Sequence, residues 1–223
     1  MPLPVKKKNL KRTSVKEYVY NSLKDWIVSG TLKPDEPVND KDIADYFNVS
    51  RTPVREAMLL LSQERFIDVV PSKGTKVASM SASEAASIYE ALGGLAGSVV
   101  QLVCAKRTDK DLEILTALNQ DFAAAVDKKD FQHLSSLDKK FHQYLLKIAD
   151  NPYLTDYTNQ LTAHADRYEA YYFSGERQDY SISVNEHARL IEAIHNRDVI
   201  PAVRYAQKNW LGFYETRLKE MLK

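Results

Sequence analysis

Two imidazoles and a carboxylate in the C-terminal half of the sequence have types and spacing that suit metal binding. In "LDKKFHQYL", Asp138 and His142 are four residues apart, which places both on the same face of a helix. His187 follows in "VNEHARLIEAI", where Ile191 and Ile194 mark the buried side of another helix. Such a set, converging inside a bundle, suits a divalent ion such as Zn²⁺, Ni²⁺ or Mn²⁺. A simple hydrogen bond between Asp138 and His142 is the alternative.

Two arginines in the N-terminal third have the spacing of a nucleic-acid contact. The stretch "VSRTPVREAM" places Arg51 and Arg55 on one helical face, opposite the apolar Val54 and Met58. A guanidinium can bind a guanine edge in bidentate fashion, or bind a phosphate. The alternatives are a solvated arginine pair, or an ion pair between Arg55 and an acid of its own helix.

A third group of residues could bind a small anionic ligand. Arg167 lies in "DRYEAYYF" beside several tyrosines, and guanidinium binds carboxylate or phosphate through two hydrogen bonds. We predict Arg167 and Tyr171 as effector-binding residues. The alternative is that the tyrosines are ordinary core and surface aromatics of one helix.

The elements that position the arginine pair are short helices. Apolar residues spaced by three and four predict a first helix, with Ser14 as N-cap and Gly30 as its end. A second helix is predicted at about 39–47. A third begins at Ser50 as N-cap, carries Pro53 in its first turn and ends near residue 63. Two helices joined by a tight turn in this way form a helix-turn-helix.

The segment after these helices predicts a small β-wing. "FIDVV" and "TKVAS" are rich in β-branched residues and flank the turn residues 71–74. The N-terminal unit is therefore a winged helix, in which the start of the recognition helix enters the major groove of DNA.

The remaining two thirds of the chain predict helices only. Ser81 and Glu84 have the spacing of a capping box at the start of a mostly apolar helix. Six helical segments are predicted, at about 81–106, 109–127, 130–149, 152–173, 180–196 and 198–222. The fold class is thus mainly α, a winged helix-turn-helix with a small β-wing followed by an antiparallel six-helix bundle.

Composition is typical of a globular cytoplasmic protein. The 223 residues are 44% hydrophobic and 27% charged, and we expect no membrane-spanning segment and no signal peptide. Cys104 is the single cysteine, which excludes an intrachain disulfide and fits a reducing compartment. The net charge of +1 hides a basic N-terminal part and an acidic remainder. We assign residues 1–13 to a basic arm, 14–79 to a DNA-binding domain and 80–223 to an effector-binding and dimerisation domain.

The N-terminal motifs resemble a known family. "DIADYFNVSRTPVREAMLLLSQERFI" with "VVPSKGTKV" resembles the winged helix of GntR-family bacterial transcription regulators over about residues 15–78. The resemblance implies that Arg51 and Arg55 are the principal base and phosphate contacts and that residues 72–74 form a wing tip in a minor groove. The set of DNA-contacting residues predicted with it is Lys41, Ser50, Arg51, Thr52, Arg55, Ser72, Lys73 and Gly74. The family usually has Pro-Gly in the first turn, where this chain has Pro34-Asp35.

The C-terminal motifs resemble the all-helical ligand-binding FCD domain of the FadR subfamily, over about residues 82–220. Metal-binding members use one Asp and three His, which implies Asp138, His142 and His187 as ligands here. Asn209 takes the place of the third His, and an amide oxygen is a weaker ligand than imidazole for such metals. Leu92 stands where many relatives carry an arginine that binds a carboxylate, so an organic acid held in that way is not expected.

We therefore predict a regulator that is a homodimer, binds double-stranded operator DNA, and responds to a small-molecule effector in the bundle. One divalent metal ion per subunit is the predicted cofactor. The motifs of a phosphate loop, a nucleophile elbow and HExxH are absent, so neither an enzyme nor a catalytic residue is predicted. The alternatives are an architectural DNA-binding dimer without an effector, and a metal-dependent helical-bundle enzyme.

Overall fold

A computed structural model describes residues 15–70, 74–128, 131–172 and 181–219, with side chains except at positions 70, 131, 132, 171, 172 and 217. The chain divides into two compact units, Met1–Ser79 and Met80–Lys223. The predicted basic arm and the N-cap at Ser14 lie outside the described residues.

The first unit has the predicted three helices and wing. Its elements are α1 (Val15–Val28), α2 (Asp40–Phe47), α3 (Arg51–Gln63), β1 (Ile67–Val70) and β2 (Gly74–Val77). The fully buried side chains of its core come from all of these except α2, namely Val19, Leu23, Ile27, Val54, Ala57, Leu61, Phe66, Ile67 and Val77. The apolar spacing of three and four along α1 and α3 is what places these residues on one side of each helix.

Two asparagines cap α2, and the second of them begins the turn to α3. The Asn39 side chain accepts a hydrogen bond from the Lys41 N–H at 2.8 Å and starts α2. Asn48 ends α2 in the left-handed conformation, with φ of 51°. Ser50 has the extended backbone of an N-cap, but its side chain makes no capping hydrogen bond, which corrects one detail of the prediction.

The wing is an antiparallel pair extended by a third short segment. Its register pairs Ile67 with Val77. On the other side of β2, Pro37 forms an isolated bridge with Lys76. The first turn is therefore tied to the wing. Asp35, at the place of the family's usual glycine, has φ of 65°, and its carboxylate accepts hydrogen bonds from Lys76 and from the Ser79 hydroxyl at 2.7 Å. These contacts hold a conformation that glycine adopts more easily.

The second unit is the predicted six-helix bundle. Its helices are α4 (Ala82–Lys106), α5 (Asp109–Asp127), α6 (Phe131–Ala149), α7 (Pro152–Tyr172), α8 (Ser181–His195) and α9 (Val199–Phe213). Within the described residues, α9 passes into one π-helical turn at Tyr214–Leu218. The central α4 packs against α6, α7, α8 and α9, and most extensively against α9.

Glycines allow α4 and α9 to approach closely. A Cβ at Gly93 would lie 3.4 Å from the Leu211 side chain, and one at Gly97 would lie 3.3 Å from Val203. Gly93 thus meets Leu211, whereas Gly97, later in α4, meets Val203, earlier in α9. The two helices are therefore antiparallel. Cys104, further along α4, is buried and free.

Only one of the two hydrogen bonds of the predicted capping box forms at the start of α4. The Ser81 hydroxyl accepts from the Glu84 N–H at 3.1 Å, as expected. The Ser81 N–H, however, donates to the Tyr168 hydroxyl at 3.0 Å, and that hydroxyl lies 2.6 Å from the Glu84 carboxylate. A tyrosine of α7 thus stands between the two groups that a capping box would join directly. The complete capping box of the described bundle is at Thr108 and Asp111, which start α5.

One helix is more apolar than the sequence analysis allowed. Among the described helices, α4 alone is long and apolar enough to cross a membrane by composition, with a mean hydropathy of 1.5 in its most apolar window. Half of that window is buried inside the protein. The apolar character of α4 follows from its place at the centre of the bundle.

Candidate nucleic-acid interface and metal centre

The two predicted DNA-contacting arginines lie at the start of α3 and point away from the core. Arg51 is the first residue of α3, and Arg55 follows one turn later. Their side chains are 51% and 64% exposed, whereas Val54 between them is fully buried. The helix therefore presents both guanidinium groups to solvent, as its periodicity predicted.

Both arginines bind the same carboxylate. Asp40, the first residue of α2, accepts hydrogen bonds from Arg51 Nη2 at 2.6 and 2.9 Å and from Arg55 Nε at 2.5 Å. These hydrogen bonds, first from Arg51 and then from Arg55, lower the pKa of Asp40. The carboxylate therefore stays charged and holds the two guanidinium groups side by side. The alternative considered for Arg55 was an ion pair within α3, but its carboxylate partner is Asp40 of α2, which the sequence analysis missed.

An open groove brings together four residues of the predicted DNA-contacting set. Lys41, Arg51, Arg55 and Gly74 all line it, at the junction of α2, α3 and the wing. Gly74 has φ of 94° at the start of β2, which a residue with a side chain rarely adopts.

The other members of that set lie beside the groove or outside the described part of the chain. Ser50 and Thr52 are exposed on either side of Arg51. Ser72 and Lys73 lie outside the described residues. The described surface is basic, with two guanidinium groups and an ammonium group around one carboxylate.

The three predicted metal ligands converge in the second unit. Asp138 and His142 lie on α6 and His187 lies on α8, with one possible donor atom of each within 4.8 Å of the others. His142 Nε2 is 3.7 Å from Asp138 Oδ2, and His187 Nε2 is 3.6 Å from Asp138 Oδ1. These separations fit three ligands placed around one ion better than they fit hydrogen bonds among the three side chains.

The surroundings of His187 support this interpretation. Its ring is fully buried and stacks on Phe141, with ring centres 4.0 Å apart. Both of its ring nitrogens are buried without a hydrogen-bond partner of good geometry among the described residues, which is costly unless something binds them. Burial lowers the pKa of His187 well below its ordinary value, and burial also lowers that of His142. Both imidazoles are therefore neutral near pH 7, the form that binds metals.

Asn209 is brought to the same place. Its Nδ2 donates to Glu186 Oε2 at 3.0 Å, which fixes the orientation of the amide. The amide raises the pKa of both imidazoles, opposing burial, which places Asn209 beside them. Four side chains thus supply one carboxylate oxygen, two imidazole nitrogens and one amide oxygen. This donor set fits a divalent metal ion.

A cavity of about 270 Å³ adjoins this cluster, and Asp138 and His142 are among its lining residues. The lining includes an acidic group that the sequence analysis did not single out, Asp166 and Glu169 of α7. Burial raises the pKa of Glu169, and the charges of Asp166 and Asp138 raise it further, to about 8.

The two residues predicted to bind the effector are not both in this lining. Arg167 is 2% exposed and does not line the cavity. The side chain of Tyr171 lies outside the described residues. Leu92 is fully buried in a second cluster of the bundle core, with Tyr89 and Tyr168, and does not line the cavity either.

A winged helix with an exposed arginine pair, followed by a helical bundle, is the architecture of a class of DNA-binding regulators. Family comparisons agree with this class. Residues 15–77 match the model of bacterial regulatory proteins of the gntR family, and residues 87–209 match the FCD domain. The chain belongs to the GntR family of transcription regulators and carries an FCD domain.

Named relatives are regulators as well. The chain is 27% identical to the uncharacterized HTH-type transcriptional regulator YdhC of Bacillus subtilis, over 80% of each chain. It is 26% identical to the HTH-type transcriptional repressor RspR of Escherichia coli, over 82% of this chain and 80% of that one. The solved structure of E. coli McbR/YncC shares the fold, with a TM-score of 0.72 and 21% identity over 92% of this chain and 99% of that one. These relatives are transcription regulators rather than enzymes, so the metal-dependent enzyme alternative is set aside.

Proposed function

We propose that this regulator is a cytoplasmic homodimer that binds a palindromic operator and releases or engages it when a small molecule binds in the bundle cavity. The observation that carries the DNA-binding part is the groove in which Lys41, Arg51, Arg55 and Gly74 meet. One helix-turn-helix reads only a few base pairs, so two copies related by two-fold symmetry are needed to read a full operator.

Each of the groove residues has a distinct role in this proposal. Arg51 and Arg55 bind base edges and phosphates of the major groove, and Lys41 adds a phosphate contact. Ser50 and Thr52 flank the first arginine, and the wing, including Ser72, Lys73 and Gly74, follows the adjacent minor groove.

The proposed cofactor is one divalent ion, Zn²⁺, Ni²⁺ or Mn²⁺, in each subunit. Asp138, His142 and His187 would hold it, with Asn209 as a fourth and weaker ligand. When bound, the ion supplies a Lewis-acidic position next to the cavity that can bind a donor atom of the effector. The four residues keep their donor atoms together at the cavity wall, and Glu186 keeps the Asn209 amide in position.

The effector acts by a shift in populations. A molecule in the cavity contacts α6 and α7. If it binds one dimer arrangement more tightly than another, it changes the fraction of dimers whose recognition helices match the operator spacing.

The DNA-binding part is tested by selecting genomic fragments in vitro and measuring their affinity by fluorescence anisotropy. Arg51→Ala should weaken discrimination between the selected operator and random DNA by roughly tenfold or more, because a bidentate base contact is lost. Lys33→Ala is the matched control, since Lys33 is an exposed cation of the same unit outside the groove. Equal discrimination by wild type and Arg51→Ala would contradict the proposal.

The metal is tested by elemental analysis of protein purified without a metal-affinity column. Near-stoichiometric Zn, Ni or Mn is expected in the wild type, with loss of the metal in His142→Ala. The matched control is His195→Ala, because His195 is an exposed imidazole outside the ligand cluster. A wild-type protein that neither contains nor takes up these metals would contradict the metal part of the proposal alone.

A further inference from the structure

The cavity beside the candidate metal centre is acidic at one end. Asp138, Asp166 and Glu169 are in its lining, and the described lining contains one lysine or arginine, Lys139. The Lys139 ammonium lies 2.8 Å from the Asp166 carboxylate and is thereby paired. Within the described part of the chain, the Glu169 carboxylate accepts one hydrogen bond, from the Tyr89 hydroxyl at 3.3 Å. A positively charged group entering the cavity would meet the Glu169 carboxyl group, which can release its proton and pair with it, whereas an anion could form no such ion pair.

An independent feature at the other end also indicates a ligand. Thr158 lines the cavity and is 7% exposed, and its hydroxyl is buried without a hydrogen-bond partner among the described residues. A buried hydroxyl without a partner destabilises a folded protein. A ligand atom able to form a hydrogen bond would remove that cost.

The two ends are separated along α7. Thr158 and Glu169 are eleven residues apart, which corresponds to about 16 Å along a helix axis. Part of the wall is apolar, with Val99 and Val100 from α4 and Leu146 from α6, although Asn159 and Thr162 of α7 also line the cavity. Trp210 also lines the cavity, and its indole face can attract a cation. The walls thus suit a hydrocarbon chain with a cation at one end and a neutral polar atom at the other.

We propose that the effector is an elongated primary amine, with its ammonium group bound at Glu169, a hydrocarbon middle, and a neutral hydrogen-bonding group at Thr158. This inference rests on the proposed function, because it names the class of effector for the same cavity. Asp166 and Glu169 are outside the metal-ligand set. Because a divalent ion at Asp138 and His142 would attract the acid probe, the probes are compared on protein from which metal has been removed with a chelator.

The test compares two probes that differ in the sign of one end group. 8-Aminooctan-1-ol and 8-hydroxyoctanoate have the same chain length and the same hydroxyl, and their binding to the full chain is measured by calorimetry. The wild type should bind the amine at least about tenfold more tightly than the acid, because a charge-assisted contact is gained by one and a repulsion by the other. Equal binding, tighter binding of the acid, or binding of neither probe would overturn the proposal.

Variants locate the two ends. E169Q should weaken amine binding by about tenfold, since the counter-charge is lost. D156N, which removes an exposed carboxylate from the same helix outside the cavity, should leave it unchanged. T158V should weaken both probes while the amine remains preferred. Unchanged amine binding in E169Q would overturn the proposal, and the wild-type preference decides the matter if E169Q does not fold.

Operator binding measured on the same preparations separates the two proposals. Sequence-specific DNA binding without amine binding would mean that only the effector class is wrong. Amine binding without sequence-specific DNA binding would mean that the proposed function is wrong and that the cavity nevertheless binds amines.

Discussion

Arg51 Nη2 donates hydrogen bonds to both oxygens of the Asp40 carboxylate, at 2.6 and 2.9 Å. Arg55, one turn further along α3, donates to the same carboxylate. The contact holds the two side chains together in the protein without DNA. It also competes with phosphate for the same hydrogen-bond donors. We therefore expect Asp40 to position the arginines and to limit their binding to DNA of any sequence.

Asp40→Asn should raise the affinity for random-sequence DNA and lower discrimination for the operator by roughly tenfold, because the freed guanidinium groups bind phosphates irrespective of sequence. The measurement is fluorescence anisotropy with operator and random duplexes at several salt concentrations. Asp42→Asn is the control, since it removes the same charge from an exposed position of the same helix. Equal changes in both variants would mean that net charge alone, and not the contact with the arginines, is responsible.

The sequence predicted the helical features that depend on short spacing. Asp138 and His142 share a face because four residues make about one turn, and the structure places them together. The apolar positions Val54, Met58 and Leu61 likewise fixed which side of α3 is buried. In both cases the geometry is set within one helix, so the spacing of residues in the sequence is sufficient to predict it.

Several contacts that depend on packing between helices were missed. Asp40 meets Arg51 across the α2–α3 turn, and the sequence analysis considered acids of α3 only. The acidic end of the cavity forms because α6 packs against α7, which brings Asp138 near Asp166 and Glu169. The start of α4 differs from its motif because a tyrosine of α7 reaches it. Spacing along the chain contains no information on such contacts.

Gly97→Ala should lower the free energy of unfolding by about 1–3 kcal/mol, because the added methyl group would lie 3.2 Å from Gln207 and 3.3 Å from Val203 of α9. Gly94→Ala is the matched variant three residues earlier, where a methyl group meets nothing within 4 Å. It should raise the free energy of unfolding by about 0.5–1 kcal/mol through helix propensity. Denaturant titrations of both variants measure this, and changes of the same sign would contradict the close α4–α9 packing.

Glu169 should make the protein less stable as pH rises. Its pKa is raised from 4.5 to about 8 by burial and by the charges of Asp166 and Asp138, with Lys139 and the Tyr89 hydroxyl acting in the opposite direction. Between these two values the folded protein keeps a proton that the unfolded chain releases, so the stabilisation present below pH 4.5 is lost as pH rises through about 8.

Glu169→Gln removes the titrating carboxyl group, so the free energy of unfolding of this variant no longer depends on that proton. Relative to the wild type, its free energy of unfolding should increase by roughly 4 kcal/mol between pH 5 and pH 9. Urea titrations of the two proteins across that range are the measurement, with Asp156→Asn as the variant that removes a carboxylate from the exposed side of the same helix. A constant difference between Glu169→Gln and the wild type would show that Glu169 is ionised throughout.

Amine binding should release a proton near pH 7. In the ligand-free protein Glu169 is mostly protonated at that pH, since its pKa is about 8. A bound ammonium group favours the carboxylate form, so the proton passes to the buffer. Calorimetry with 8-aminooctan-1-ol should therefore give different binding enthalpies in phosphate and in Tris, which differ in their heats of ionisation. Glu169→Gln should abolish the difference, and equal enthalpies for the wild type in both buffers would contradict this linkage.

Thr158→Val should stabilise the ligand-free protein by about 1 kcal/mol, because it removes a buried hydroxyl that has no hydrogen-bond partner among the described residues. Thr155→Val is the matched variant on α7, and there the hydroxyl donates to the Asn151 carbonyl at 3.1 Å. Losing that bond should destabilise the protein by about 1 kcal/mol. Urea titrations without ligand distinguish the two, and destabilisation by both would mean that the Thr158 hydroxyl is bonded in the free protein. A Thr158 hydroxyl that lowers stability in the empty cavity would be expected to form its hydrogen bond in a ligand-bound state. Stabilisation by Thr158→Val would therefore support the effector proposed for the cavity.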